Sequence, residues 1–170
     1  MPKFIKELEQ CIPALRRYAS SLLYKQDEAD DLVQDCLERA LKKQNLWQPG
    51  TSLRAWLFTM QHNLYVNQLK KYSRQPPMTE EVEALNHNLE PHKSEVLLRD
   101  IDFCMRQLPD DQQQVLLLVV VEGFSYKEVS KIISIPQGTV MSRLSRARKA
   151  LQTLMNGESV SSQSVLRSVK

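Results

Sequence analysis

Glycine is scarce in this chain, four residues in 170. No Gly-rich phosphate-cradling loop is present, and so little of the most helix-disfavouring residue after proline points to helix. Cysteine is nearly as sparse. Cys11, Cys36 and Cys104 are odd in number and widely spaced. They form no Cys-x-x-Cys pair and no Cys/His cluster, which excludes a disulfide scaffold and a zinc site. They read as small core residues in a reducing compartment. His62, His87 and His92 are scattered, with no ligand spacing among them. No apolar run approaches the ~18 residues of a membrane span, and the N-terminus lacks a signal-peptide apolar core. Membrane insertion is therefore not expected, and a cytoplasmic protein is. No nucleophile–base pair or paired-carboxylate motif converges. No catalytic residue, metal, cofactor or enzymatic activity is therefore expected.

What is there is helical pattern. With 42% apolar residues the chain can bury a core, and its length allows one domain or two small ones. Pro13 is expected to begin a first helix with Leu15, Tyr18, Ala19, Leu22 and Leu23 on its inner face. Asp27 opens a second, with Leu32, Val33, Cys36, Leu37, Ala40 and Leu41 spaced for burial. Gln48-Pro49-Gly50-Thr51-Ser52 is a turn signal. A third helix runs from Leu53 to about Tyr72. Residues 75–93, opened by Gln75-Pro76-Pro77, are polar and read as a linker, with a possible short helix at 79–86. Ser94 to Leu108 resumes helical periodicity, and Pro109-Asp110-Asp111 caps the next helix. Its run Val115–Val121 suits either a buried strand or a buried helix. No second strand exists to pair with it, so a fully buried helix is preferred, ended by Gly123. The tail, 157–170, reads as disordered.

The sharpest local pattern is Ser125–Ala150. Ser125-Tyr126-Lys127-Glu128 is a capping box, in which hydroxyl and carboxylate satisfy opposite orphan amides. Val129, Ile132 and Ile133 form the stripe of that helix, and Pro136 starts another. At about 100° per residue, Val140, Leu144, Ala147 and Leu151 cluster on one side of the second helix. Thr139, Ser142, Arg143, Arg146 and Lys149 cluster roughly a quarter-turn away. A packed face beside a cationic, hydroxyl-bearing face suits a helix anchored to its own domain and lying in the DNA major groove.

Net charge is only +3, so its distribution matters more than its total. Asp27 to Glu38 holds six acids and no base, whereas Arg143 to Lys149 holds four bases and no acid. One end suits a basic partner and the other suits phosphate. The third helix ends in Lys70, Lys71 and Arg74 and carries Trp56, Phe58, Tyr65 and Tyr72. Aromatics with bases bind unpaired nucleotides by stacking and charge neutralisation. Trp56 and Phe58 are nonetheless better read as core. Asn63 and Asn67 share one face, where their amides either meet base edges or face water.

Two such halves resemble RNA polymerase sigma factors of the extracytoplasmic-function (ECF) type, in the sigma-70 superfamily, over about residues 10–153. Asp27-Glu28-Ala29-Asp30-Asp31-Leu32-Val33-Gln34-Asp35 is similar to that family's core-binding helix. Arg54-Ala55-Trp56-Leu57 through Asn63-Leu64 is similar to its promoter-melting helix. Leu108-Pro109, Gly123-Phe124-Ser125-Tyr126-Lys127-Glu128-Val129, Ile135-Pro136-Gln137-Gly138-Thr139-Val140, Ser142-Arg143-Leu144 and Arg146-Ala147-Arg148 match its last domain.

The resemblance implies an all-α fold of two small helical domains joined by a flexible linker, the second ending in the helix-turn-helix. Residues 1–74 would be the region 2-like unit, which binds core polymerase and melts the minus-ten element. Residues 94–156 would be the region 4-like unit, which reads the minus-thirty-five element. It also implies three partners: core RNA polymerase (the largest subunit's coiled coil and the flap), promoter DNA and a cognate anti-sigma factor. Asp30, Asp31, Gln34, Asp35 and Glu38 would meet the polymerase. Trp47, Ser52, Asn63, Asn67, Lys70, Lys71 and Arg74 would serve the minus-ten element, and Thr139, Ser142, Arg143, Arg146 and Lys149 the minus-thirty-five element.

The chain departs from the family pattern at four places: Gln61-His62 for the usual Ala-Arg, Asn67 for Asp, Gln113 for Arg, and Ser134 for a turn Gly. The last is expected to strain its turn, because that position suits positive φ. The alternative reading is a conventional helix-turn-helix regulator with a helical sensing or dimerisation domain. It is disfavoured because no heptad seam is visible. A helical interaction module that binds no DNA is the third possibility.

Overall fold

The computed structural model describes residues 2–74 and 93–157. The expected linker apart from Lys93, the short helix at 79–86, His87, His92 and the tail beyond Gly157 lie outside the described residues. Within them the chain is all-α, in two helical halves.

Helix α1 spans Pro2–Leu22 and contains Pro13 within it. The expectation that Pro13 begins the helix is therefore corrected. Phe4, Leu8, Cys11, Leu15, Tyr18 and Leu22 are all buried. They recur every three or four residues, so one apolar stripe continues through the proline. Pro13 itself is exposed. The amide it lacks and the carbonyl its ring displaces therefore face water, where both defects cost least.

Helix α2, Gln26–Lys42, packs on α1. It starts one residue before Asp27, and Asp27 and Glu28 occupy its first turn, where acids complement the helix dipole. Ala29, Leu32, Val33, Cys36 and Ala40 are buried. Leu41 was expected to join them and is instead exposed at the edge of the stripe. A 3₁₀ turn, Gln44–Leu46, then leads to a Pro-Gly turn. Here Thr51 N–H donates to the Gln48 carbonyl at 3.1 Å and Gly50 has φ +93°. That is the left-handed value a type II turn demands of the residue after proline. Helix α3, Leu53–Ser73, closes the first half. Ser52 caps it, accepting from Ala55 N–H at 3.1 Å. Leu57, Phe58, Leu64 and Tyr65 are buried along it, and it packs on both α1 and α2.

The second half comprises α4 (Lys93–Arg106), α5 (Asp110–Leu116), α6 (Tyr126–Ile133) and α7 (Gln137–Met155). Pro109 occupies the N-cap of α5, with Asp110 and Asp111 in the first turn, so Pro109-Asp110-Asp111 starts the helix as read from sequence. The valine-rich run is helical, as the absence of a pairing strand requires, but it is not fully buried. From Leu117 to Val121 it widens into a π turn, with Glu122 N–H donating to the Leu117 carbonyl at 2.9 Å. Val120 is 55% and Val121 46% exposed. The looser turn swings these two β-branched side chains outward and brings the next residue, Glu122, into the interior. Gly123, at φ +73°, then turns the chain into α6.

The halves pack on each other, α3 against α6 and α1 against α4 and α5. A row of rings crosses the junction. Tyr18 lies 5.4 Å from Phe58, and Phe58 meets Phe124 edge-on at 5.0 Å. Among the described residues no helix is long and apolar enough to cross a membrane.

Candidate nucleic-acid interface

The helix-turn-helix is built as its sequence requires. Glu128 N–H donates to Ser125 Oγ at 3.2 Å while Ser125 N–H donates to Glu128 Oε2 at 2.8 Å. This closes the capping box at the start of α6. At its end Ser134 takes φ 56° and ψ 49°, the one positive-φ non-glycine among the described residues. Ile135 N–H reaches back to the Ser130 carbonyl at 3.1 Å, and Ser130 Oγ donates to the Ile135 carbonyl. Those bonds pin the turn in the left-handed conformation despite its Cβ. The expected strain is thus present and held in place.

Helix α7 buries Val140, Leu144 and Ala147. Ser142, Arg146 and Lys149 are exposed, and Thr139 and Arg143 are half-buried. At about 100° per residue these five span about 120° of the helix surface, clear of the packed stripe. They are not equivalent. Ser142 Oγ donates to the Thr139 carbonyl at 3.1 Å. Arg143 pairs through Nε with Asp111 on α5 at 3.4 Å. Its guanidinium thus has an acid of its own chain as neighbour, which spacing along α7 alone does not reveal.

In the first half, Asn63, Asn67, Lys70 and Lys71 on α3 and Arg74 at its C-cap are all exposed and fall within about 100° of arc. They form one polar and cationic stripe. Ser52 and Trp47 stand apart from it. The Ser52 hydroxyl is engaged in capping. Trp47 lies half-buried against Phe4, with ring centroids 5.7 Å apart. Its Nε1 is covered and has no hydrogen-bond partner among the described residues. Trp56 packs partly on the core and Phe58 is fully buried, as read from sequence. His62 is buried too, and burial lowers its pKa to about 4. On α2, Asp30, Asp31, Gln34, Asp35 and Glu38 are all exposed on a stripe about 140° wide. Glu38 lies 3.8 Å from Lys42.

Sequence reasoning missed one buried polar cluster. Glu122, its side chain 1% exposed, accepts from Arg17 Nε at 2.8 Å and Arg17 Nη2 at 2.9 Å. It also accepts from Arg54 Nη2 at 2.7 Å. The bidentate Glu122 bond pushes the Arg17 pKa upward. The Arg54 guanidinium lies over the rings of Phe124 at 4.4 Å and Phe58 at 5.2 Å. The only signal available was a lone acid directly after seven apolar residues.

Two family models match, the sigma2 domain of PhyR over residues 8–62 and sigma-70 region 4 over residues 98–151. The ECF RNA polymerase sigma factor EcfG of Rhodopseudomonas palustris is 37% identical over 145 residues, covering 85% of this chain and 80% of that protein. The RNA polymerase sigma-H factor of Pseudomonas aeruginosa is 31% identical over 145 residues, covering 75% of each. The sigma factor RpoE of Bartonella quintana, solved with the anti-sigma factor NepR, superposes with a TM-score of 0.75 at 35% identity. That match covers 92% of this chain and 98% of the other. A helix-turn-helix with a packed and a cationic face, an acid-striped α2 and these relatives agree: the chain belongs to the ECF family of RNA polymerase sigma factors.

Proposed function

We propose that the protein binds core RNA polymerase in the cytoplasm and directs it to a specific set of promoters, itself contributing no catalytic group. The observation that carries this reading is the pairing of two exposed surfaces of opposite charge on separate halves, within a chain of this family. The acidic stripe of α2, Asp30, Asp31, Gln34, Asp35 and Glu38, faces a basic surface of the polymerase. In residues 94–156, α7 enters the major groove of the minus-thirty-five element. Arg146 and Lys149 are exposed cations of that face, and Arg143 reaches DNA by leaving or sharing Asp111. In residues 1–74 the α3 stripe of Asn63, Asn67, Lys70, Lys71 and Arg74 tracks the minus-ten strand, with Trp47 and Ser52 at its head. Trp47 is better placed to shape that loop than to stack on a base.

Unstacking one base costs a few kcal/mol. Stacking recovers about 1–3 kcal/mol per base, so polymerase contacts must supply the rest. A protein so built binds promoters weakly by itself. Because a relative was solved with an anti-sigma factor, we include such a protein among the expected partners here.

Co-purification with core polymerase followed by run-off transcription tests the reading. Reversal of Asp31 and Asp35 to lysine is expected to weaken core binding with the helical fold intact. Arg146→Ala is expected to cost about 1–3 kcal/mol in promoter recognition. A chain that never joins core, or whose promoter choice ignores Arg146, overturns it. Specific duplex binding by a homodimer without polymerase would favour the conventional-regulator reading instead.

A further inference from the structure

We infer that Met141 reads a thymine methyl group in the minus-thirty-five element, as a specificity-determining residue that the cationic pattern of α7 conceals. This rests on the promoter-directing function proposed above and deepens it. In a helix-turn-helix the N-terminal residues of the second helix reach the base edges. From Gln137 to Ser142 that helix carries no charge, and its cations Arg143, Arg146, Arg148 and Lys149 all come later. Within this uncharged start Val140 is buried and Met141 is 54% exposed. A single bare apolar side chain is ordinary on a protein surface. The place of this one sets it apart.

At about 100° per residue, the direction opposite the packed stripe of Val140, Leu144 and Ala147 passes between Ser142 and Lys149. Met141 lies about 90° from that direction and Arg143 about 110°, so the methionine is turned outward further than the arginine. Its surface neighbours are small. Gly138 and Ser145 sit one helical turn to either side of it, both exposed and uncharged. A Cβ on Gly138 would meet nothing within 4 Å, so no packing inside the chain calls for glycine there. The bare backbone instead lets a duplex come close. Ser142 Oγ already donates to the Thr139 carbonyl at 3.1 Å, which leaves that hydroxyl only acceptor capacity. The patch of Gly138, Met141, Ser142 and Ser145 has no cation to meet the O6 and N7 acceptors of guanine, whereas the C5-methyl of thymine is the apolar group of the major-groove edge. Thr139 carries a rival methyl, but it is half-buried on the far side of the face, about 160° from Met141.

Promoter binding by the holoenzyme, the full-length chain joined to core polymerase, tests this. Wild-type holoenzyme first selects duplexes from a pool randomised across the minus-thirty-five element. Each thymine of a selected duplex is then replaced by deoxyuridine, which removes the methyl and leaves every hydrogen-bonding group in place. At one position the wild type is expected to lose about fourfold in affinity, the contribution of one buried methyl. Met141→Ala should bind the two duplexes equally, and Met141→Leu, which keeps an apolar side chain there, should restore the difference. Thr139→Ser, which lacks the rival methyl, should leave the difference intact. Met141 is exposed, so both of its variants are expected to keep the helical circular dichroism of the wild type. Selected duplexes without a methyl-sensitive thymine overturn the inference. So does sensitivity that survives Met141→Ala or vanishes with Thr139→Ser. In each of those cases the sigma-factor reading stands. A wild type that never joins core refutes that reading, and the inference with it.

Discussion

Ser134 shows how one side chain records a constraint that the residue type alone does not satisfy. Its φ of 56° places a Cβ where glycine would meet no penalty. The Ser130 and Ile135 bonds hold it there. Ser134→Gly is expected to stabilise the second half by about 0.5–1 kcal/mol, since relief of αL strain outweighs the added freedom of the unfolded chain. A lower midpoint in urea would show that the turn is unstrained. His62 makes a different case. Burial moves its pKa from 6.5 down to about 4, so the folded state binds fewer protons than the unfolded state in between. Its contribution is complete above pH 6.5 and is lost as pH falls, by about 1.4 kcal/mol per unit toward pH 4. Urea midpoints of wild type and His62→Gln, compared from pH 7 to 5, check this. Only the wild type should lose the added slope. The positive φ of Ser134 was legible in sequence, because a known turn supplied the expectation. The burial of His62 was not, since a single imidazole on α3 carries no sign of which face it occupies.

At the scale of elements, legibility followed period more closely than punctuation. α2, α3, α6 and α7 were readable because their apolar residues repeat every three or four positions between clear stops. α1 shows where punctuation misled. Its stripe of Phe4, Leu8, Cys11 and Leu15 was present from the start, but Pro13 was given the weight of a boundary. The proline faces water, so packing overrode its local cost. Pro13→Ala restores an amide donor and removes the ring's clash, worth about 3 kcal/mol in a helix interior and less at this water-facing position, set against about 0.4–1 kcal/mol for the freer unfolded chain. The variant is therefore expected to be more stable by about 1–2 kcal/mol, seen as a higher urea midpoint. A loss of stability would mean that α1 is two helices meeting at residue 13. The valine run was legible as helix because no strand could pair with it. Its π turn was not legible, because an i to i−5 bond leaves no mark on composition.

At the scale of the molecule, the sequence divided correctly into two helical halves of different charge but carried no trace of how they meet. The junction depends on Glu122, Arg17 and Arg54, separated by up to 105 positions along the chain, and on rings whose partners are equally remote. No local window contains both sides of such an interface. Its energetics follow from exposure. Arg17 is half in water and its bond is screened, whereas Arg54 is one-third exposed and wedged between two phenyl rings. Contacts that are part-buried and mutually dependent couple by about 0.5–3 kcal/mol, enough to make small halves melt together. The free wild-type chain is therefore expected to give one calorimetric endotherm, with van't Hoff and calorimetric enthalpies equal. Glu122→Gln removes the charge common to both arginines and should resolve that endotherm into two, one for each half. Two endotherms already present in the wild type would mean that the junction contributes too little to couple them, and that each half is stabilised by its own core alone.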